Sequence, residues 1–285
     1  MKRMLRAILC SLKNETPTPN IAEQRERSDE FDESYFAGDT GSAYSANNYL
    51  ETALLSRTYF EMAEIMTRCF EPKRVLEVGC AAGPIVYHLN SYFDTEAHGL
   101  DVSKWAIENR LHPNVGWATA DKLPFPDSHF DVVFSCHMLE HLTTDTIAAS
   151  IEELSRVCAP DGVQFHLLPV IGQGPYTDVF GSIVGLKSDV THHLLNDRQW
   201  WSDRWSQAGW HDSGVRAAMA YDNHGFEFSD CQFILTRSEL SAPVLAAIAR
   251  RNLDVARTYQ RALTRRPAPG LEAYLNDIRV HWPAP

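Results

Sequence analysis

The chain has 285 residues, 44% of them hydrophobic, and a formal net charge of −11. That length allows one large core, or one core with an appendage, and the acidic balance excludes a general electrostatic pull toward nucleic acid. Six cysteines (Cys10, Cys69, Cys80, Cys136, Cys158, Cys231) show neither a Cys-x-x-Cys pair nor zinc-ligand spacing, which points to a reduced, cytoplasmic protein rather than a disulfide scaffold.

No run of eighteen apolar residues is present, so no stretch reads as a membrane span. Residues 1–13, MKRMLRAILCSLK, put Leu5, Ile8, Leu9 and Leu12 on one helical face beside Lys2, Arg3, Arg6 and Lys13. The stretch is too short and too charged for a secretory signal. Two readings stay open: a helix packed on its own domain, and peripheral contact with an anionic membrane surface. Residues 14–20 carry two prolines and read as a linker. Residues 23–39 are acidic, and residues 35–49, YFAGDTGSAYSANNY, are rich in glycine and aromatics.

Apolar residues recurring at three and four predict one helix over 49–70, stopped by Pro72. A strand over 74–79 runs into a glycine turn and a helix to about residue 93. A second strand ends at Asp101, and Ser103 suits the N-cap of a helix to residue 110. Strands follow near 115–120 and over 130–135, the latter an unbroken apolar run that suits the middle of a parallel sheet. A helix over 144–158 and a Pro160-Asp161-Gly162 turn lead to a strand over 163–168. This alternation predicts right-handed crossovers and a doubly wound α/β sheet. Residues 170–193 hold four glycines and read as a functional loop or lid extending to 196. Then come a helix over 196–208, two loosely alternating segments at 210–221 and 227–237, and a helix over 243–263. Three units follow: 1–48 as helix, linker and covering segment, 49–240 as the main domain, and 241–285 as a C-terminal helical extension.

The organising stretch is residues 75–83, VLEVGCAAG. An apolar strand ends in small residues with the spacing Glu-x-Gly-x-x-x-Gly, set by Glu77, Gly79 and Gly83. It lacks the second turn glycine of the dinucleotide fingerprint, Gly-x-Gly-x-x-Gly. Cys80, Ala81 and Ala82 are small enough for close backbone approach to a ligand, with N–H groups at a helix N-terminus. Asp101 lies eighteen residues after Gly83, placed to accept both ribose hydroxyls of a nucleoside. Ala120 and Asp121 precede LPFPDSHFDVVFSCHMLEHL. These four segments, in this order, resemble the class I S-adenosylmethionine-dependent methyltransferases, and the resemblance covers roughly 50–240.

That resemblance implies a Rossmann-like seven-stranded sheet whose final hairpin strand is antiparallel, an N-terminal lid segment, and S-adenosylmethionine as methyl donor. It implies that Glu77 holds the turn or the ammonium end, that Gly79, Cys80, Ala81 and Gly83 border the methionine end, and that Val102 packs on the adenine. Asp121, next to Lys122, would accept from the adenine amino group, and Ser135 and His137 would follow strand four at the sheet's carboxyl edge. It also implies a tyrosine in the covering segment reaching the methionine carboxylate, for which Tyr44 is the candidate beside a plain surface-loop role.

Methyl transfer to a hydroxyl needs alignment, a dry pocket and a base, and histidine suits the base. His137, His192 and His193 are the catalytic candidates, each weighed against a role in shaping the pocket. The resemblance makes His141 a structural helix residue. No metal site is assigned: adjacent histidines on a helix diverge by about 100° and no carboxylate set of obvious spacing accompanies them. A metal stays open through the resemblance alone, since some sugar methyltransferases use magnesium. Of the tryptophans, Trp201 and Trp205 read as core, and Trp200 as core or as a stacking face for a sugar. Arg250, Arg251, Arg257, Arg261, Arg265 and Arg266 read as a solvated face or as partners of the acidic N-terminal stretch, within one subunit or across a homodimer.

The expected acceptor is a small molecule or saccharide. An Asn/Asp-Pro-Pro-Tyr motif, which in the family marks amino-group methylation, is missing after strand four, which favours a hydroxyl over an amine. The alternatives are an RNA or lipid-linked acceptor gripped by the basic helices, and a non-catalytic scaffold.

Overall fold

The computed structural model describes residues 29–37, 49–172, 191–219 and 231–263. Seven strands form one sheet: β1 (Arg74–Val78), β2 (Glu96–Asp101), β3 (Val115–Trp117), β4 (Phe130–Cys136), β5 (Cys158–Leu167), β6 (His211–Asp212) and β7 (Gln232–Thr236). Their spatial order is β3-β2-β1-β4-β5-β7-β6. β1 to β5 pair in parallel, and β7 is antiparallel to both β5 and β6. The doubly wound sheet with an antiparallel closing strand is the architecture expected.

The central strands are apolar because both of their faces are covered. Val75, Val132 and Phe134 pack into a cluster on one side, with Met62, Ile65 and Met66. Leu76, Val78 and Val133 pack on the other side, with Leu154, Trp201 and Trp205. Adjacent β1 residues therefore serve opposite cores, as the two-residue period of a strand requires. The chain order reverses between β1 and β4, and open α/β sheets bind ligands in the crevice at such a switch.

The helices are α1 (Glu33–Ala37), α2 (Tyr49–Thr52), α3 (Arg57–Phe70), α4 (Pro84–Tyr92), α5 (Lys104–Glu108), α6 (Ile147–Val157), α7 (Arg198–Gln207) and α8 (Ala242–Leu263), with 3₁₀ turns at Ala53–Leu55 and Leu139–His141. The single helix expected over 49–70 is broken: Ser56 takes an extended conformation (ψ 115°) as the N-cap position of α3. Apolar period alone does not register one cap residue. α3 ends at Glu71 in the left-handed region (φ 49°), before Pro72. Ser103 caps α5 as expected, its hydroxyl accepting from the Ala106 N–H at 3.0 Å. β5 starts at Cys158, directly after α6 and ahead of the expected turn at 160–162.

Asp197 caps α7 by accepting the Trp200 N–H, and Trp201, Trp205 and Trp210 are fully buried. The Trp200 ring is covered by the Arg204 guanidinium, 3.1 Å from the ring centre, which corrects its reading as a sugar-stacking face. α8 packs against the main domain. Ile248 joins the core, and buried Arg251 pairs with Glu61 (2.7 Å) and Glu64 (3.5 Å) of α3. Its partners are these carboxylates rather than the acidic N-terminal stretch. Among the described residues no helix is long and apolar enough to cross a membrane. Residues 1–13 and the arginines at 265 and 266 lie outside the described residues.

Candidate functional site

The segments that follow β1, β2, β3 and β4 converge on a pocket of about 270 Å³ at the carboxyl edge of the sheet. β1 and its loop contribute Val78, Gly79 and Ala81; β2 contributes Leu100, Asp101 and Val102. Ala118, Thr119 and Ala120 close one wall, and His137, Met138 and His141 close another. Phe31, Tyr35 and Phe36, in and just before α1, close the pocket from the N-terminal side. The N-terminal cover anticipated from sequence is therefore present, through residues other than Tyr44, which lies outside the described residues.

Asp101 is the hub of the pocket floor. Its Oδ2 accepts the Ala81 N–H at 2.7 Å and its Oδ1 accepts the Ser103 N–H at 2.8 Å. Each carboxylate oxygen keeps a further lone pair, so the side chain can accept two hydroxyls of a ribose while holding the loop. Burial pushes its carboxyl above the ordinary value, opposed by these backbone N–H groups.

The glycine loop works differently from expectation. Its N–H groups already have partners: Gly79 and Cys80 donate to the Leu100 carbonyl, Gly83 to the Cys80 carbonyl and Ala81 to Asp101, while the Ala82 backbone bonds Tyr49. The loop offers a close surface rather than a row of open donors. Gly79 (φ 76°) is required because a Cβ there would collide with the Met138 side chain. Gly83 (φ 80°) is required because a Cβ would strike Val115 where α4 meets the sheet. Cys80 is buried behind the loop, its Sγ against Gly99.

Glu77, the penultimate residue of β1, is buried and its Oε2 has no hydrogen-bond partner. Burial, and then the charge of Asp101, raise its carboxyl well above the usual range. A buried carboxyl with one partnerless oxygen, beside a second carboxylate, favours a nearby cation. S-adenosylmethionine carries positive charge on its sulfonium and its ammonium, and the Asp101–Glu77 pair fits it.

His137 sits at the end of β4 in the left-handed region (φ 50°), held by its N–H bond to the Leu167 carbonyl at 2.8 Å. Non-glycine residues in that region gather at functional sites. Its Nδ1 lies 3.0 Å from Oε1 of Glu140, which is fully buried. Burial alone would raise the Glu140 carboxyl, but the His137 hydrogen bond and the His137 and His141 charges hold it below its ordinary value.

Of the sequence candidates, Gly79, Ala81, Asp101, Val102, Ala120, His137 and His193 line this pocket. Glu77, Cys80 and Gly83 stand behind it. Asp121 and Lys122 follow its Thr119–Ala120 wall without lining it, in the turn bridged by Thr119 and Lys122. Ser135 does not face the pocket either: it is buried, with Oγ 2.7 Å from His166 Nδ1. That corrects its reading as a cofactor contact; successive β4 residues point to opposite faces, and Ser135 points into the core. Burial takes the His166 imidazole down to about 3, so it stays neutral. His192 packs on His141 (ring centres 4.7 Å apart) rather than lining the pocket, and His141 is a pocket residue rather than a purely structural one. Phe31, Tyr35 and Phe36 were anticipated only as part of the covering segment, and Thr119, Met138 and Thr143 were missed, because no period or motif marks residues that meet only in three dimensions. Of the expected lid, 173–190 lies outside the described residues.

The family model described as a methyltransferase domain matches residues 75–162. A malonyl-[acyl-carrier protein] O-methyltransferase of Halorhodospira halophila is 28% identical over 182 residues, covering 59% of each chain. An ajmaline N-methyltransferase of Rauvolfia serpentina is 30% identical over 99 residues, covering 31% of this chain and 33% of its own. The chain thus spans less than two thirds of these relatives. A chain from the complex between the Haloferax volcanii Trm112 methyltransferase activator and a methyltransferase superposes with a TM-score of 0.52 at 14% identity, covering 69% of this chain and 96% of its own, a likeness of fold. With the strand order, the Glu77–Gly83 loop and the Asp101 floor in one pocket, residues 75–162 form a methyltransferase domain of the class I S-adenosylmethionine-dependent kind.

Proposed function

We propose that the chain transfers a methyl group from S-adenosylmethionine to a hydroxyl of a small molecule or saccharide, with His137 as general base. The observation that carries the reading is a pocket-facing histidine oriented by a buried carboxylate, 3.0 Å from Nδ1 to Oε1.

S-adenosylmethionine, when bound, supplies a methyl group on a positively charged sulfur that a nucleophile displaces in line. Asp101 would accept the ribose hydroxyls, and Glu77, buried behind the loop, would add negative charge to the field around the cation. Phe31, Tyr35 and Phe36 keep water from the pocket. Glu140 is ionised and accepts only, so His137 Nδ1 carries the proton and Nε2 keeps its lone pair. Nε2 takes the acceptor's hydroxyl proton, and Glu140 stabilises the imidazolium that results.

One relative is named for transfer to oxygen and another for transfer to nitrogen, so the names leave both atoms open. The hydroxyl is favoured by the base, which an alcohol or phenol needs to become a nucleophile. After β4 the chain continues His-Met-Leu-Glu, with no Asn/Asp-Pro-Pro-Tyr. A reducing, cytoplasmic setting belongs to the reading and suits the free thiols of Cys69, Cys80, Cys136, Cys158 and Cys231.

The test is calorimetric titration with S-adenosylhomocysteine, then mass-spectrometric product detection over a panel of phenols, hydroxy acids, saccharides and amines. Micromolar binding and a methylated hydroxyl product support the reading. No binding by folded protein turns it toward a scaffold, and methylation of amines alone overturns the choice of atom.

A further inference from the structure

We propose that Glu140, His141 and His192 bind one divalent first-row transition-metal ion at the wall of the pocket; its purpose rests on the methyl-transfer reading above, its geometry does not.

The ligand atoms of the three side chains all lie within 4.8 Å of one another. They come from two segments fifty residues apart. The Leu139–His141 turn is tied to the second segment by the Glu140 carbonyl, which accepts the N–H groups of His193 and Leu194 at 2.9 Å each. The backbone therefore holds His192 against the turn.

Glu140 supplies an independent observation. It is fully buried, its Oε1 is engaged by His137, and its Oε2 has no partner. A buried, partnerless carboxylate oxygen is costly, and a cation beside it removes that cost. The His141 Nδ1 lies 3.2 Å from the carbonyl oxygen and 2.9 Å from the hydroxyl of Thr191. A proton on Nδ1 satisfies both oxygens and leaves the lone pair on Nε2. Metal-bound histidines are oriented in this way, by donating the other ring N–H to a carbonyl or carboxylate. The rings of Phe31 and Tyr35 stand edge-on to His141 and limit its rotation.

Two imidazoles and one carboxylate suit zinc, iron, cobalt or manganese better than an all-oxygen magnesium or calcium site. Three protein ligands leave positions open, as in catalytic rather than structural metal sites. His141 and His137 both line the pocket, so an acceptor hydroxyl ligated to the ion is polarised beside the base.

The experiment uses the full chain after dialysis against a chelator, with Mn²⁺ followed by electron paramagnetic resonance and Zn²⁺ by calorimetry. One ion per chain is expected. Glu140→Gln and His192→Ala should each weaken binding by at least about tenfold, whereas His211→Ala, at an exposed histidine of β6, should leave it unchanged. His192 lies in a connecting segment, so its variant stays interpretable if Glu140→Gln unfolds. No binding of either ion by folded protein, or equal binding by all variants, overturns the proposal. S-adenosylhomocysteine titration of the same samples separates the two ideas. Cofactor binding without metal binding removes this site and leaves methyl transfer standing. Site-dependent metal binding without cofactor binding supports the site and removes the methyl-transfer reading.

Discussion

Nδ1 of His137 lies 3.0 Å from Oε1 of Glu140, three residues on, because β4 ends in a left-handed residue and a 3₁₀ turn follows at once. In a continuing strand the two side chains would point to opposite faces. The backbone conformation at His137 is thus what sets its ring against Glu140, the arrangement that the proposed base requires. His137→Asn, chosen because asparagine tolerates that φ, should lower kcat by about 10²–10⁴. S-adenosylhomocysteine affinity should stay within the same order of magnitude. Product-formation kinetics with calorimetry on the same sample check both halves, and an unchanged kcat removes His137 as base.

Asp101→Ala removes the acceptor of the Ala81 N–H and the carboxylate proposed to accept two ribose hydroxyls. S-adenosylhomocysteine binding should fall tenfold or more, on the order of 1.5–3 kcal/mol for charge-assisted hydrogen bonds. Calorimetry reads this directly, and unchanged affinity would sink the cofactor assignment.

Glu77 combines burial with a partnerless oxygen, and Asp101, Tyr49, Cys80 and Cys136 titrate in its neighbourhood. Its raised carboxyl contributes stability that is fully present below the ordinary glutamate value of 4.5 and lost as pH rises through the raised one. Glu77→Gln should therefore stabilise the ligand-free protein at neutral pH, by roughly 1–3 kcal/mol, while weakening cofactor binding. In the pH range just above 4.5, a cationic ligand should drive Glu77 to ionise and so release protons. Thermal denaturation across pH tests the first claim, and calorimetry in buffers of different ionisation enthalpy tests the second.

Gly79→Ala sets a Cβ against the Met138 side chain and holds alanine at φ 76°. The expected loss is about 1–3 kcal/mol of stability, with weaker cofactor binding as the loop shifts. Urea denaturation measures it. A neutral result would show that the loop and Met138 repack at little cost.

Arg251 and Glu61 are 3% and 1% exposed and lie 190 residues apart in sequence. Arg251→Met leaves a buried glutamate without its partner and should destabilise by about 3–5 kcal/mol. The Glu61→Leu, Arg251→Met pair should recover much of that loss. A single variant as stable as the parent would mean that water, or a proton taken up by Glu61, replaces the arginine.

Much of the sheet was legible from residues alone. The apolar runs at 75–78 and 130–135 mark strands covered on both faces, and Asp101 and Ser103 sit where a strand ends and a helix is capped. The break at Ser56 was not legible, because the apolar period of α2 and α3 continues across it. The expectation for the C-terminal arginines also needed the fold: helical position makes Arg251 look like any other surface arginine, and only α3 on its flank buries it.

Local chemistry written in the chain thus determined the class of the protein: strand periodicity, a glycine turn that allows positive φ, and a carboxylate at the end of the second strand. These are interactions between neighbours in sequence, or features repeated along one element, so a linear reading carries them. The tertiary structure decided which side chains share a volume. It turned Ser135 into the core, brought Phe31 and Tyr35 over the pocket, and set His192 beside Glu140 and His141 across fifty residues of chain. Those contacts depend on how elements pack and on loops that follow no period, so they exist only once the sheet has formed.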